Sequence, residues 1–396
     1  MRKRGRSHAF ASGPAANGGT MCATDAKHID IALQGGGAHG ALAWGMLDRL
    51  LEDERLSIRG ISGTSAGAVN AVVLADGFAR GGGRAGARRA LATFWRALSH
   101  AARLSPFQRT PLDHLMGRWT LDSSPAYAFF QMATSMVSPY EFNPFNINPL
   151  RSLLAELIDF ERVRACDELG LFISATNVRT GLARIFRRHE LDIDKVMASA
   201  SLPQLFQAVE IDGEAYWDGG YMGNPVLFPL IDESCPRDLV IIQINPVVRN
   251  ELPRTAAEIA NRLNEITFNA SLVREISSIL LLKRLIDEEN QAHVRFADTR
   301  LHRISADDVV LQLSVSSKLN AAWDFLSYLH DVGYAAADGW IERNFKLVGR
   351  RSTIEAGPVC GPGPVPEPEP EPEPDAEGGP ARAAPARRNP ARHRDR

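Results

Sequence analysis

Three short stretches of this sequence hold residues suited to acyl transfer: Gly35-Gly36-Gly37-Ala38-His39-Gly40, Gly63-Thr64-Ser65-Ala66-Gly67 and Asp218-Gly219-Gly220. The second matches G-x-S-x-G, the pattern of a serine held on a sharp strand-to-helix turn. Small residues two before and two after the serine let such a turn close without a Cβ clash. The turn lifts the Ser65 hydroxyl to the top of a sheet, at the positive end of the following helix, where a developing alkoxide or oxyanion is favoured. The five residues alone also describe a Gly/Ser-rich structural turn. Their setting gives them meaning: an apolar stretch from Leu56 to Ile61 comes before, and an Ala- and Val-rich segment runs to Phe78 after.

A serine hydroxyl is a poor nucleophile and needs a base. The usual chain order on such an elbow is Ser, then Asp, then His. Here His293, His302 and His330 sit in polar or helical stretches and His393 in a low-complexity tail, so each reads as a surface or supporting histidine. Asp218 is the better base candidate. It leaves a hairpin whose Tyr216 and Trp217 look buried, and Gly219 and Gly220 let another segment come close. A carboxylate accepting the Ser65 O–H, partly dried by apolar neighbours, has its pKa raised toward a useful value. Asp-Gly also occurs at 76–77, 212–213 and 338–339, where a plain turn is reading enough.

An oxyanion needs donors, and the N–H groups of the 35–40 loop fall beside the elbow if the loop joins a first strand to its helix. The same loop fits the dinucleotide fingerprint G-x-G-x-x-G through Gly35, Gly37 and Gly40. That use wants an acidic residue at the end of the second strand. The second strand ends in Ile61-Ser62, while Glu52, Asp53 and Glu54 precede it. No cofactor is expected.

The elements that must position these residues follow from periodicity. His28 to Gln34 reads as a first buried strand and Ala41 to Leu51 as its helix; 56–61 and the segment from Ala66 repeat the pair. A strand-helix-strand-helix opening predicts an α/β fold with a mostly parallel sheet covered on both faces. After a break at Gly81-Gly82-Gly83, Arg84 to Leu98 is helical in pattern, and 99–149 is an irregular apolar insertion. Leu150 to Ile158 and Glu161 to Glu168 read as helical turns. Leu169 to Thr176 is a buried strand with a hairpin partner at Leu182 to Arg187, and Asp194 to Ser201 a short helix. Val209 to Ile211 and Glu214 to Trp217 form a tight hairpin about Asp212-Gly213. Asp238 to Ile244 is the last clear core strand. Thr255 to Glu289 is a long helix, Val309 to Leu313 a further strand, and Asn320 to Phe345 another helix.

This divides the chain into a disordered leader (1–27), a catalytic domain (28–232), a C-terminal continuation of the same folded unit (233–350), and a disordered tail (351–396), Pro/Glu-rich and then Ala/Arg/Pro-rich. At 396 residues and 44% hydrophobic content the chain can bury a sizeable core, and a net charge of −2 argues against a nucleic-acid partner. Four scattered cysteines, Cys22, Cys166, Cys235 and Cys360, form no metal-ligand cluster and read as free thiols of a reducing compartment. The basic N-terminus lacks the apolar core of a signal peptide, and no stretch is apolar enough for a transmembrane segment. The protein is expected in the cytoplasm, with contact at a membrane surface left open.

Taken in order, the three motifs resemble those of the patatin-like phospholipases. Ala198-Ser199-Ala200-Ser201-Leu202-Pro203 and the Tyr216 to Asn224 segment also resemble bacterial members, so that the likeness covers about residues 29 to 232. The resemblance implies a three-layer α/β/α sandwich and a Ser-Asp dyad with Ser65 as nucleophile and Asp218 as base. It also implies an oxyanion hole at Gly36, Gly37 and Ala38, with Gly35, His39, Gly40, Gly63, Gly67, Gly219 and Gly220 completing the motifs. It further implies hydrolysis of acyl esters of membrane or storage lipids with no metal. The family's glycine loop most often carries Arg or Lys where this chain has His39, whose ordinary pKa of about 6.5 leaves its charge at pH 7 unfixed. The expectation is a serine lipid acyl hydrolase acting on a lipid or membrane-surface substrate. Its rivals are an acyltransferase using the same dyad and a catalytically silent membrane-associated scaffold.

Overall fold

The structure, a computed structural model, describes residues 26–234, 236–288 and 298–354. Cys22, Cys235, Cys360, His293, His393, nearly all of the leader and most of the tail lie outside them.

The first two strand-helix pairs are β1 (Lys27–Leu33), α1 (Gly40–Glu52), β2 (Leu56–Gly63) and α2 (Ala66–Gly77). The expected break comes next: Gly81 at φ 91° and Gly83 at φ 49° take left-handed conformations before α3 (Gly83–Ala101). The 99–149 stretch is less irregular than its composition suggests. It holds α4 (Pro111–Leu115), α5 (Pro125–Met136) and α6 (Pro139–Phe142), each preceded by Thr or Ser and opened by Pro in its first turn. That Ser/Thr-Pro start signal was available in the sequence. Then come α7 (Pro149–Leu157), α8 (Phe160–Ala165), β3 (Gly170–Asn177), β4 (Ala183–Arg187), α9 (Ile193–Ser199), β5 (Val209–Ile211) and β6 (Glu214–Asp218). The β5–β6 turn is made by Asp212 and Gly213, both at positive φ. The chain continues through α10 (Phe228–Glu233), β7 (Asp238–Gln243), α11 (Ala256–Glu288), β8 (Arg300–Ser305), α12 (Asp307–Val310) and α13 (Trp323–Asn344).

One expected strand is misplaced. Residues 309–313 belong to α12 and the turn after it, and the edge strand is β8, which pairs parallel with β7. Of the run from Val309 to Leu313, Val310 and Leu313 are buried by a helical turn that starts at Asp307-Asp308, two acidic residues suited to a helix N-terminus. β8 hides its strand character because His302 is one of the residues it buries.

Strands β3, β2, β1, β7 and β8 run parallel, and β4, β6 and β5 add antiparallel pairs beyond them. Alternate side chains feed two cores. Ile29, Ile31, Leu33, Val240 and Ile242 pack with α1, α2, α3 and α13. Ala32, Leu239 and Ile241 pack with α10 and α11 on the other face. The result is the expected three-layer sandwich.

β3 pairs with three strands but has only two edges. β4 pairs with Phe172 to Thr176, so β2, on Gly170 to Ile173, and β6, on Ala175 to Asn177, must share the other edge end to end. β2 arrives from one direction and ends at Gly63; β6 arrives from the other and ends at Asp218. Both chains turn away opposite Ser174.

Candidate active site

That meeting of strand ends brings Ser65 and Asp218 into one buried cluster, although 153 residues separate them in the chain. Ser65 sits between β2 and α2 at φ 55°, ψ −121°, a backbone conformation costly for a non-glycine residue and sustained only when its surroundings enforce it. Its own N–H donates to Ser199 Oγ at 2.9 Å. The elbow closes because Gly67 lacks a side chain: a methyl group there would come within 2.3 Å of the Leu33 carbonyl oxygen. Next to it the hydroxyls of Thr64 and Ser174 both donate to the Gly223 carbonyl, at 2.6 and 2.8 Å, tying the elbow to the chain that follows Asp218.

Asp218 is fully buried. Its Oδ1 accepts the Gly220 N–H at 2.7 Å, while its Oδ2 has no hydrogen-bond partner among the described residues. Burial pushes the carboxyl up to about 6, against the opposing pull of the Ser65 hydroxyl, the Gly220 N–H and the Lys318 charge. The Ser65 hydroxyl thus acts on the carboxylate without closing to full hydrogen-bond geometry. Gly219 and Gly220 form the turn that follows, packed against Ser174 and Phe268.

The glycine loop reaches the same place from β1. Gly35 is held at both ends: its N–H donates to Asn224 Oδ1 at 2.6 Å, and its carbonyl accepts from Asn245 Nδ2 at 2.8 Å. Gly37 lies at φ 59°, where a methyl group would meet the Lys318 carbonyl oxygen at 2.5 Å. Among the described residues, nothing accepts the N–H groups of Gly36, Gly37 or Ala38, so three backbone donors remain free in the loop. Gly40 then opens α1. His39 is turned inward, with Nε2 2.8 Å from Ser317 Oγ and its ring edge-on to Phe325. Burial, reinforced by nearby Lys318, pushes the imidazole down to about 3, so His39 is neutral and structural.

Gly36, Gly37 and Ser65 share a pocket of about 280 Å³ with side chains of α5, including Tyr127 and Phe130, and with Phe268 of α11. The insertion therefore contributes to the wall of the pocket. The remaining histidines lie elsewhere. His302, expected at the surface or in support, is wholly buried on β8 and bonded to Asp238; His330, on α13, faces Asp48 and packs at a tilt against Trp44. Neither borders the pocket. Among the described residues, Asp218 is the carboxyl beside Ser65, and Lys318 and Tyr221 border the same pocket.

The pattern of motifs has a counterpart among protein families: the model described as "Patatin-like phospholipase" matches residues 31–231. The chain belongs to this family. Its sandwich is the patatin fold, and membership places it among lipid acyl hydrolases. No curated protein matches the chain at a significant level. Similar solved structures include VipD from Legionella pneumophila, at 15% identity and a TM-score of 0.37, over 80% of this chain and 67% of that one. They also include ExoU of Pseudomonas aeruginosa in its heterodimeric complex with SpcU, at 17% identity and a TM-score of 0.27. That match covers 82% of this chain and 62% of the other, so this chain spans somewhat under two thirds of the ExoU chain. Among the described residues, no helix is long and apolar enough to cross a membrane.

Several residues of the site carried no signal in the sequence. Ser199 and Asn224 lay in stretches that resembled the family, but without a role. Ser174, Asn245 and Lys318 have no motif around them and are brought in by β3, by the end of β7 and by the turn before α13.

Proposed function

We propose that this patatin-like protein is a serine hydrolase that cleaves carboxylic esters of phospholipids or other acyl lipids through a Ser65–Asp218 dyad and an acyl-enzyme. The observation that carries the reading is the convergence of a strained elbow serine, a buried carboxyl beside it and the glycine loop, with Ser65, Gly36 and Gly37 lining one pocket; among the described residues one carboxyl oxygen and three loop N–H groups have no partner. Asp218 takes the proton as Ser65 Oγ attacks the ester carbonyl, and the N–H groups of Gly36, Gly37 and Ala38 hold the oxyanion. The protonated Asp218 then gives its proton to the leaving alcohol. Water, deprotonated by the same carboxylate, attacks the acyl-enzyme; Asp218 returns that proton to the departing Ser65 Oγ, which frees the fatty acid and restores the dyad. A carboxyl held near pH 6 is suited to both halves of this cycle, since it exchanges its proton close to neutrality.

Fluorophosphonate labelling tests the nucleophile: wild type becomes labelled at Ser65, and the folded Ser65→Ala protein does not. Incubation with a mixed lipid extract, followed by mass spectrometry of free fatty acids and acylated acceptors, separates hydrolysis from acyl transfer and from a silent scaffold. The apolar wall adds a prediction about substrate. Burying a methylene gains about 0.8 kcal/mol, so kcat/KM on monomeric p-nitrophenyl esters should climb steeply from acetate to octanoate. A flat profile below the critical micelle concentration would leave only a small-ester hydrolase.

A further inference from the structure

The pocket beside Ser65 is bordered by one charged side chain, Lys318, among otherwise apolar and neutral polar groups. Its ammonium donates to Asn245 Oδ1 at 2.8 Å and to Asn264 Oδ1 at 2.7 Å, and lies 5.4 Å from the centre of the Phe268 ring. An ammonium has three donors; two are spent on neutral amides. No carboxylate among the described residues comes within ion-pair distance of it. Glu265, a nearby acid, is already engaged by Arg249 and Arg262. The fold therefore keeps a half-buried cation with no direct ion pair among the described residues at the edge of the cavity, Glu265 and Asp218 acting on it only from beyond contact distance, and an anion in direct contact would stabilise it. Lys318 also stands where it can read substrate. Its backbone packs on Gly37, its neighbour Ser317 anchors His39, and the Asn245 that it contacts holds the Gly35 carbonyl.

We propose that Lys318 binds the phosphodiester of a phospholipid whose acyl ester lies at Ser65, and so sets a preference for phosphate-bearing lipids over neutral acyl esters. This rests on the hydrolase reading above and names the substrate class of that same site. Family motifs do not contain the residue, which lies outside the matched span of 31–231. The side chain is a specificity determinant: the reacting atoms are handled by Ser65, Asp218 and the loop.

The test compares the full-length wild type with Lys318→Met, which keeps the length of the side chain and removes the charge, and with Lys318→Arg, which keeps the charge. Two monomeric substrates share one ester: dioctanoyl phosphatidylcholine carries the phosphate and dioctanoylglycerol does not. A hydrogen bond to a charged group accounts for roughly a ten- to hundredfold difference. Read at pH 8, where Asp218 is ionised with or without the help of the Lys318 charge, Lys318→Met should lose about that much kcat/KM on the phospholipid, chiefly through KM, and several times less on dioctanoylglycerol. Lys318→Arg should recover most of the phospholipid activity. Equal losses on both substrates would mean that Lys318 only braces the Gly35–Asn245 contact or the oxyanion, and would overturn the proposal while leaving the hydrolase intact. A wild type inert on both esters would overturn the hydrolase reading and this one together. Thermal stabilisation of wild type by inorganic phosphate, lost in Lys318→Met without any phospholipid defect, would assign the site to free phosphate and overturn the lipid assignment.

Discussion

Two aspartates are buried at opposite ends of the central sheet, and their surroundings differ. Asp238 opens β7 at the end where the parallel strands begin. Its Oδ1 meets His302 Nε2 at 2.9 Å and the Gly349 N–H at 2.7 Å, and its Oδ2 pairs with Arg300 at 3.1 Å. Asp218 closes β6 at the end where the parallel strands finish. Among the described residues it has one N–H on Oδ1, no hydrogen-bond partner on Oδ2, and a strained serine beside it. A buried Asp–His pair is the combination usually sought next to a nucleophilic serine, yet here it is the satisfied pair that lies far from Ser65. Buried polar groups are ordinarily paired. Among the described residues, the carboxylate oxygen next to the elbow serine and the loop amides depart from that rule, as the proposed dyad and oxyanion hole would require.

The comparison breaks most decisively if the wrong aspartate turns out to matter for chemistry. Ser65→Ala and Asp218→Asn should each lower kcat/KM for ester hydrolysis by at least about a thousandfold, with the fold retained by circular dichroism. Near-normal turnover in folded Ser65→Ala would end the mechanism.

A smaller effect comes from pH. Asp218 acts as a base only when ionised, so log kcat/KM should fall by about one unit for each pH unit below about 6 and level off above it. The same raised pKa has an opposite signature in stability. Because the folded value lies above the ordinary 3.8, deprotonation opposes folding. The stabilisation from this group is full below 3.8 and is lost as pH rises through about 6. Asp218→Asn should therefore melt higher than wild type above pH 6 while being inactive. A melting temperature that falls at neutral pH would show that Asp218 is structural.

At the other end of the sheet the pattern should reverse. His302→Ala removes a buried ring and one partner of Asp238, and should cost about 2–3 kcal/mol by urea unfolding, with kcat/KM per folded molecule within about threefold. A loss of activity as deep as that of Asp218→Asn would make His302 the base. The smallest effect is expected at His330, whose contacts to Asp48 and Trp44 lie on the α1–α13 side of the molecule. His330→Ala should leave turnover within about twofold of wild type, as steady-state kinetics would record.

Local chemistry made much of this protein legible in the sequence. Gly63 to Gly67 between an apolar strand and a small-residue helix pointed to an elbow, with a plain structural turn as the alternative. Asp212-Gly213 can only be a tight turn, and Ile29, Ile31 and Leu33 mark one face of a buried strand. Each signal concerns neighbours in the chain, where steric limits and side-chain period act directly. The edge strand was not legible: β8 buries His302 through a partner 64 residues away, and no period in its own residues announces it. Nor was the inward turn of His39, since its hydrogen-bond partner Ser317 lies 278 residues further along the chain. Tertiary structure alone decided that β2 and β6 meet end to end on β3, that Asn224 and Asn245 hold Gly35, and that Lys318 borders the pocket. Those contacts join residues of unremarkable type whose meeting depends on how the whole sheet is ordered, and a linear pattern does not encode that order.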